Sequence, residues 1–388
     1  MTESAVVYTN AASSGEAAAS LCKKLADALP GAPADVLVLF ASPTYDQQAL
    51  LKALKTRCQP KILVGASSAG EFTHETRGAG LACALALRSS DLHFSAAIAR
   101  DLSKDPVAAG RNLAAGFRGL TDRGYAYRSA LVMTDALAGH ADELVDQLTV
   151  ATSGQYQFFG GGAGDDAQFR RTNVFFDDEA VTDAAVALEI LSNKPIGVGV
   201  GHGWEPIGPA MRVTEIDGKR LVSLNGMPAV EAFERHAAET SQTLDREAPI
   251  PFFLHNILGI DTGSGHRLRV PLAINDDGSV LCASELPIGA TVHVMRTTER
   301  SAVDAAARAT SAAMQGLKGN KPQVALFFDC VATRLRMGDA FGFELKALAE
   351  QLGDAEFVGC NTHGQIARAE GQFGGFHNCT AVVCVLPE

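Results

Sequence analysis

Apolar residues along the chain alternate between short continuous runs and segments with a helical period. Asp35–Phe40 is a nearly continuous apolar run with the length of a buried strand. Tyr45–Arg57 follows with Leu50 and Leu54 on one helical face, and Ile62–Val64 is a second apolar run. The pattern predicts a strand, an amphipathic helix and a second strand.

This order occurs three times, and each copy ends in a segment rich in glycine. The first glycine segment is Leu63–Gly70, the second is Phe158–Gly164 and the third is Phe357–Gly364. In each segment an apolar strand runs into a glycine, and small or polar residues lead to a second glycine. Repetition of this kind indicates a structural unit that was duplicated and then diverged.

The three copies predict an α/β (mixed α+β) fold. Repeated helix-strand-helix-strand-strand units would pack as layered sheets and helices, with a mainly β insert before the last unit. The predicted strands and helices of the second and third copies are Ala130–Met133, His140–Leu148, Gln157–Phe159, Asp183–Leu191, Ala302–Leu317, Gln323–Phe328, Phe341–Leu352, Phe357–Gly359 and Thr380–Val385.

The predicted insert is Ile196–Arg296, which is rich in glycine and in short strand signals. Val230–Glu239 is its predicted helix, since Pro228 lies near the start of a helical apolar period. A domain boundary inside the insert divides the chain into residues 1–216 and 217–388. The predicted strands of the insert are Gly197–Gly201, Met211–Ile216, Phe253–Ile260, Leu268–Pro271, Ser279–Cys282 and Val292–Met295.

Composition narrows the class of protein. The chain has 388 residues, of which 47% are hydrophobic and 20% charged, as in soluble proteins large enough for two domains. A formal net charge of −11 provides no positive field for nucleic acid or an anionic membrane, so neither is an expected partner. The N-terminal residues do not have a signal-peptide pattern and no apolar run reaches the length of a membrane span, so we expect a cytoplasmic protein.

The chain has eight cysteines, most of them within apolar runs and without a paired spacing. This distribution predicts buried thiols in a reducing compartment.

The glycine segments predict a ligand cleft. Loops that leave the C-terminal ends of strands commonly line ligand sites, and glycine lets backbone amides approach a bound group. A tight turn or a bulge explains the glycines of any single segment, whereas three copies favour a cleft. None of the segments matches a phosphate-binding or dinucleotide-binding loop. The predicted ligand contacts in these segments, or directly after them, are Gly65, Ser67, Ser68, Gly70, Glu71, Gly160, Gly161, Gly162, Asp165, Gly359, Cys360, Thr362 and His363.

Two groups of acidic residues have structural explanations. Asp165 and Asp166 could bind Mg²⁺ or act as an acid-base pair, but adjacent carboxylates after a glycine run more often begin a turn. Asp177, Asp178 and Glu179 lie between two predicted strands and are expected at a solvated hairpin tip.

Cysteine and histidine near the C-terminus offer a metal site or a reactive thiol. Cys360 and His363 have the spacing C-x₂-H, and His377 and Cys379 have the spacing H-x-C, so these four residues are candidate Zn²⁺ ligands. Alternatively, Cys330 at a strand end, or Cys360 activated by His363, could act as a nucleophile. A buried and inert cysteine explains the same residues.

Ten histidines make haem a possible cofactor, although the chain contains no C-x-x-C-H motif for covalent attachment. His202 is the first candidate for a non-covalent haem ligand, because it follows a glycine-rich strand and lies two residues before the only tryptophan. His255 in an apolar run is the second. A lone histidine is more often a hydrogen-bonded structural residue.

The order of short motifs along nearly the whole chain resembles the FIST sensory-domain family. The motifs of the N-terminal half are Gly65–Phe72, Gly160–Asp166, Asp183–Ile190, Gly203–Gly208, Val213-Thr214 and Leu224–Ala229. Those of the C-terminal half are Asp329-Cys330, Arg334, Glu344, Gly359–Ile366 and Asn378-Cys379-Thr380.

The resemblance implies a FIST N-terminal domain and a FIST C-terminal domain in a bacterial sensory module for small ligands, often amino acids by inference. It adds Cys330 and Arg334 to the predicted ligand contacts. No transmitter domain is expected in the chain, so the partner would be a separately encoded protein such as a histidine kinase. One stand-alone branch of similar length resembles haem-binding nitric-oxide sensors. Gln365 departs from the glutamate that the family usually carries in the third segment, whereas Glu71 retains the acid in the first.

An enzyme remains the alternative from a different class. A cysteine-dependent or metal-dependent hydrolase would use the thiols and histidines named above. A sensor, by contrast, has no catalytic turnover, so replacing these residues would not abolish one.

Overall fold

Each of the three predicted copies forms a unit of sheet and helices in the computed structural model, which describes residues 1–369 and 374–388. The first unit consists of β1 Thr2–Thr9, α1 Ser14–Ala28, β2 Val36–Ala41, α2 Gln47–Cys58, β3 Ile62–Ser67, β4 Glu71–Thr73, β5 Arg77–Gly78 and β6 Ala82–Ser89. The second consists of β7 Leu92–Arg100, α3 Pro106–Ala115, β8 Tyr127–Thr134, α4 Ala141–Ala151, β9 Gln157–Gly162, β10 Val174–Phe176, β11 Glu179–Val181 and β12 Ala184–Ser192.

The third unit is interrupted by the insert. It begins with β13 Gly197–Gly201. The insert then contains β14 Glu205–Asp217, β15 Arg220–Leu224, β16 Met227–Pro228, α5 Ala229–Glu239, α6 Ile250–Phe253, β17 Ile257–Asp261, β18 His266–Arg269, β19 Pro271–Ile274, β20 Val280–Cys282 and β21 Thr291–Arg296. The unit continues with α7 Glu299–Gly316, β22 Pro322–Cys330, α8 Val331–Met337, α9 Phe341–Leu352, β23 Glu356–Thr362, β24 Gln365–Arg368, β25 Gly375–His377 and β26 Ala381–Pro387.

The units are joined in a ring by exchanged hairpins. The described strands form three six-stranded sheets, one per unit, and one eight-stranded sheet in the insert. The hairpin β10–β11 of the second unit pairs with β3 of the first, β24–β25 of the third pairs with β9 of the second, and β4–β5 of the first pairs with β23 of the third. Each unit therefore completes the sheet of its neighbour.

The three sheets turn one face towards a shared apolar core. Phe40 of the first unit meets Phe328 of the third edge to face, with ring centroids 5.5 Å apart, and Leu131 of the second packs in the same cluster. The opposite face of each sheet carries that unit's own helices over a separate cluster. The predicted mixed α+β class of layered sheets and helices is confirmed, and the structure described is 28% helix and 39% strand.

The assignment of Gly197–Gly201 to the insert was wrong. The strand was correctly predicted, but it pairs with β26 as the edge of the third sheet. Its glycines explain the position, since a Cβ on Gly197 or Gly199 would lie 1.8 Å from a carbonyl oxygen of α7. The helix can therefore lie directly on this strand. Local periodicity predicts a strand and carries no information about which sheet it joins.

Phe253–Ile260 was also predicted wrongly as a single strand. Its first residue closes the short helix α6 and its second half forms β17, because Pro249 and Pro251 favour a helical turn before the strand. The hairpin tip predicted at Asp177–Glu179 is confirmed, as β10 ends at Phe176 and β11 begins at Glu179. The boundary at 216–217 falls in the β14–β15 hairpin and stays a proposal.

Two of the eight cysteines are not thiols. Cys22 of α1 and Cys58 of α2 form a disulfide between neighbouring helices on the outer face of the first unit. The prediction that every cysteine is a thiol is therefore wrong for this pair. The two cysteines are 36 residues apart, and such a spacing does not indicate a disulfide. The other six cysteines are free and buried.

Candidate functional site

The three glycine segments meet at the centre of the molecule. The N–H of Ala69 in the first segment donates to the carbonyl oxygen of Asn361 in the third at 2.9 Å. The N–H of Gly162 in the second segment donates to the carbonyl oxygen of Gly364 at 2.9 Å. The N–H of Gly164 donates to a carbonyl oxygen of the first segment at 2.8 Å. The structure thus brings together three segments that are far apart in sequence.

The first glycine of each segment has a structural role. A Cβ on Gly65, Gly160 or Gly359 would lie 1.8, 2.1 or 1.8 Å from a carbonyl oxygen of the parallel neighbouring strand. Real side chains do not tolerate such distances, so only glycine permits this approach. These three predicted ligand contacts lie inside the sheets, where they position the rest of each segment.

A cavity of about 510 Å³ lies between the insert and the junction of the glycine segments. Its walls are mainly apolar and come from both sides. The lining residues from the insert are Lys219, Ile250, Phe253, Leu254, Val270, Pro271, Leu272, Leu281, Cys282 and Ala283. Those from the units are Ala136, Leu137, Ala167, Phe169, Cys330, Val331, Ala332, Leu335, His363, Gly364 and Asn378. Small-molecule sites typically have about 300 to 1,000 Å³ and a few polar groups among apolar walls, as this cavity has.

His363 places an imidazole at the cavity wall. Its side chain is 4% exposed, and Nε2 lies 3.6 Å from a carboxylate oxygen of Asp165. The ring of Phe169 stacks on the imidazole at 4.7 Å with an interplanar angle of 21°. Neither ring nitrogen makes a hydrogen bond to the residues that the structure describes. Burial lowers the pKa of His363 to about 4 although Asp165 and Asp135 oppose the shift, so the ring is neutral and can donate and accept one hydrogen bond.

Asp165 holds the loop that presents Phe169. Its carboxylate accepts the backbone N–H groups of Phe169, Arg170 and Arg171 at 2.9, 2.6 and 3.0 Å. The turn role that the sequence favoured for Asp165 is observed. The aspartate also faces His363, so it contributes to the site through the loop and the imidazole.

Other polar groups of the cavity wall come from separate elements. Asn378, in the turn before β26, accepts the N–H of Val270 from the insert at 3.3 Å. Lys219 is half-buried, and burial lowers its pKa although Glu285 and Asp135 oppose the shift. Cys330 is the last residue of β22 and is 3% exposed.

A second cluster of polar residues surrounds the end of the first glycine segment. The hydroxyl of Ser68 donates to the carboxyl of Glu71 at 2.5 Å, and the N–H of Leu81 donates to the same carboxyl at 2.9 Å. Burial raises the pKa of Glu71 to about 8. Arg334 lies 3.7 Å from a carboxylate oxygen of Asp166, whose pKa burial raises.

The absence of a side chain at Gly70 leaves room for the guanidinium of Arg334. A Cβ there would lie 2.8 Å from a guanidinium nitrogen of Arg334. Four predicted contacts, Ser68, Gly70, Glu71 and Arg334, are therefore close together, but none is among the residues that line the 510 Å³ cavity.

The other predicted contacts have structural partners. Ser67 accepts the N–H of Asn173 at 2.9 Å, and Thr362 donates to the carbonyl oxygen of Asp329 at 3.2 Å. Gly161 leaves room for the Thr362 side chain, and a Cβ on Gly162 would lie 2.8 Å from the carbonyl oxygen of His363.

The two histidines predicted as haem ligands are not among the residues lining the cavity. His202 Nε2 lies 3.0 Å from the carbonyl oxygen of His266, and its Nδ1 accepts the N–H of Trp204 at 3.2 Å, so both nitrogens are engaged. Burial lowers the pKa of His255 and of His202. His202 does not fit the role of an axial ligand in this arrangement.

The four predicted zinc ligands have different surroundings, and His377 is fully buried at the end of β25. Cys360 lies in the shared core, where burial raises its pKa and the carboxyl of Glu71 and the thiol of Cys83 add to the shift. His363 faces the cavity, and Cys379 belongs to an apolar cluster that also contains Cys330. Among residues 1–369 and 374–388, no three histidine, cysteine or acidic side chains are grouped to hold a metal ion.

Phe169 and Lys219 belong to the cavity and were missed from the sequence. Phe169 gave one signal, an aromatic residue within the polar loop Asp165–Arg171. Lys219 gave none, because a lysine after glycine in a hairpin is ordinary turn chemistry.

In the part of the chain that the structure describes, no helix has the length and apolar character needed to cross a membrane.

Comparisons with known proteins give two family matches. The model of the FIST N domain matches residues 35–227, and the model of the FIST C domain matches residues 229–368. No curated protein matched significantly.

Two solved structures are distant likenesses of this chain. Cyanuric acid hydrolase from A. caulinodans is 11% identical with a TM-score of 0.38, and each chain covers 99% of the other. A second cyanuric acid hydrolase, described as an evolutionary innovation by structural concatenation, is 12% identical with a TM-score of 0.36 and complete coverage of both chains. Likenesses this low transfer neither the fold nor the reaction of these proteins to this chain.

Proposed function

Because the chain belongs to the FIST family, whose domains are generally small-ligand sensory domains, we propose that it is a sensory protein whose ligand occupies the 510 Å³ cavity. The observation that carries the proposal is the construction of this cavity. It has the size of a small-molecule site, apolar walls and a few polar groups that converge on it.

The cavity chemistry indicates the kind of ligand. Apolar side chains such as Phe253, Leu254 and Leu272 supply most of the wall, so the ligand presents a largely apolar body. His363 and Asn378 supply hydrogen bonds on one side, and Lys219 supplies a cation. A ligand that hydrogen-bonds to the buried imidazole of His363 satisfies nitrogens that have no hydrogen-bond partner among the described residues.

The position of the cavity supplies a route for a signal. One wall belongs to the insert and the other to the three units, so a ligand that contacts both favours one arrangement of the two. Asp142 of α4 bridges the same boundary through Arg269 of β18 at 2.8 Å and Arg267 at 3.3 Å. A cytoplasmic partner such as a histidine kinase would read the arrangement that the ligand stabilises.

A ligand screen by thermal shift tests the proposal. Leu272→Trp should fill the cavity, whereas Ile288→Trp places the same indole on the insert at a residue that is 62% exposed. A genuine ligand should stabilise the wild type and the Ile288→Trp variant by about 2.7 kcal/mol at a concentration of a hundred times its Kd. It should not stabilise Leu272→Trp. Equal stabilisation of both variants would place the ligand outside the cavity.

Haem is a second candidate ligand, favoured by one observation. His363 offers a neutral imidazole on an apolar cavity, which is the type of group that ligates haem iron, whereas both nitrogens of His202 are engaged. A bound haem would supply the iron that binds nitric oxide. Hemin titration tests this: a Soret band that is lost in His363→Ala and retained in His202→Ala supports a haem sensor. Absence of a Soret band after hemin titration would contradict the proposal of a haem sensor.

A further inference from the structure

Two buried thiols lie in one apolar cluster, and one of them, Cys330, lines the cavity. Cys330 ends β22 and Cys379 lies in the turn between β25 and β26, with exposures of 3% and 5%. Both belong to one apolar cluster with Trp204 and Val270. The two side chains are close enough for each to shift the pKa of the other. Residues 49 positions apart in the sequence are therefore neighbours in the fold.

The contact makes the two thiols unequal. The neighbouring thiol of Cys379 lowers the pKa of Cys330 to about 7 in spite of burial and the nearby carboxyl of Asp329. The same contact and burial raise the pKa of Cys379, although the guanidinium of Arg336 opposes the shift. A substantial fraction of Cys330 is therefore thiolate at neutral pH, with a thiol beside it.

The cavity supplies access to Cys330. Although the residue is buried from the outer surface, it lines the 510 Å³ cavity. Cys282 lines the same cavity and is 1% exposed, but burial without such a partner raises its pKa to about 12. The chain therefore contains a matched control cysteine in the same cavity.

We propose that Cys330 and Cys379 form a redox-active dithiol that opens onto the cavity and is oxidised there by a peroxide. This inference goes beyond ligand sensing, because it assigns a modification site that operates whether or not a ligand binds. It rests on the contact between the thiols and on the access that the cavity gives to one of them.

The chemistry balances in two steps. The Cys330 thiolate attacks one oxygen of hydrogen peroxide, so an S–O bond forms and the O–O bond breaks. The departing hydroxide takes up the proton that Cys330 lost and becomes water. The sulfur of Cys379 then attacks the Cys330 sulfur, so an S–S bond forms and the S–O bond breaks, and the leaving hydroxyl takes the Cys379 proton as a second water. The two thiols are oxidised to a disulfide and the peroxide is reduced to water.

The product would alter the cavity wall. A bond between Cys330 and Cys379 ties the end of β22 to the turn before β26, which also holds Asn378 against the insert. Oxidation would therefore modify the wall at the point where the insert and the units meet.

Peptide mapping of the full-length folded protein tests the proposal. After treatment with hydrogen peroxide, unfolding and alkylation of remaining thiols, we expect a disulfide between the peptides that carry Cys330 and Cys379, while Cys282 is alkylated. In the absence of peroxide, iodoacetamide should modify Cys330 roughly a hundredfold faster than Cys282 at neutral pH, because the gain in thiolate fraction exceeds the loss of intrinsic nucleophilicity.

A variant separates the two steps. In Cys379→Ala the sulfenic acid of Cys330 cannot be resolved by its neighbour, so dimedone should trap it. Retention of Cys330 as a thiol in peroxide-treated wild type would overturn the proposal. Oxidation of Cys330 without a bond to Cys379 would overturn the role of Cys379, and this result is read from the wild-type protein even where the variant does not fold.

Discussion

Replacing Glu71 with glutamine should remove a pH-dependent loss of stability that the buried carboxyl causes. The residue is fully buried, and burial raises its pKa from 4.5 to about 8 although the hydrogen bonds from Ser68 and Leu81 oppose the shift. Glutamine has nearly the same shape, can accept the N–H of Leu81 and carries no charge at any pH. It therefore preserves the packing and removes the titration.

The sign of the effect follows from proton binding. Between pH 4.5 and about pH 8 the folded protein holds a proton on Glu71 that the unfolded chain has released, so stability falls as the pH rises through this window. Single-site linkage with this shift gives a loss of about 3.5 kcal/mol between pH 5 and pH 8.

Urea denaturation at several pH values measures the effect as a difference between proteins. The free energy of unfolding of Glu71→Gln minus that of the wild type should rise by about 3.5 kcal/mol from pH 5 to pH 8. Taking this difference cancels the titration of the groups that both proteins share. Glu75→Gln is the control, because the Glu75 side chain is 60% exposed and close in sequence. A constant difference across this range would show that Glu71 is ionised in the folded protein and would refute the reasoning.

Three further predictions concern the framework. Reducing the Cys22–Cys58 disulfide should lower the stability by up to about 4 kcal/mol, because the unfolded chain gains loop entropy. Thermal denaturation with and without dithiothreitol measures this loss, and dithiothreitol should not change the stability of the control variant Cys22→Ala/Cys58→Ala. Gly160→Ala adds a methyl group 2.1 Å from a backbone oxygen at φ +134°, so urea denaturation should show a loss of at least about 3 kcal/mol, whereas Gly15→Ala, with nothing within 4 Å, should change little. Asp142→Asn leaves the insert's buried arginine without its carboxylate and should cost about 3 kcal/mol, so an unchanged urea midpoint would contradict the importance of this bridge.

Local sequence patterns predicted the elements well and their partners poorly. The helix Phe341–Leu352 and the strand Gly197–Gly201 have the predicted bounds. The sheet that contains Gly197–Gly201 was nevertheless wrong, because pairing depends on residues far away in sequence. The exchanged hairpins were not predicted for the same reason, since their short strands complete neighbouring sheets and carry little periodicity of their own.

The site was predicted as backbone segments more successfully than as side chains. The three glycine segments do meet, and the third supplies His363 to the cavity. Their first glycines, such as Gly65, turned out to serve strand packing. The apolar wall opposite His363 comes from the insert, and no local pattern links Leu272 to a histidine 91 residues away (363 minus 272).

Hydrogen-deuterium exchange of the wild-type protein, with and without a ligand selected by the thermal-shift screen, tests the cavity proposal most directly. A ligand in the cavity should slow exchange on both walls at once, in β19–β20 of the insert and in the third glycine segment Phe357–Gly364. Slower exchange elsewhere, with both of these segments unchanged, would contradict a binding site between the insert and the units.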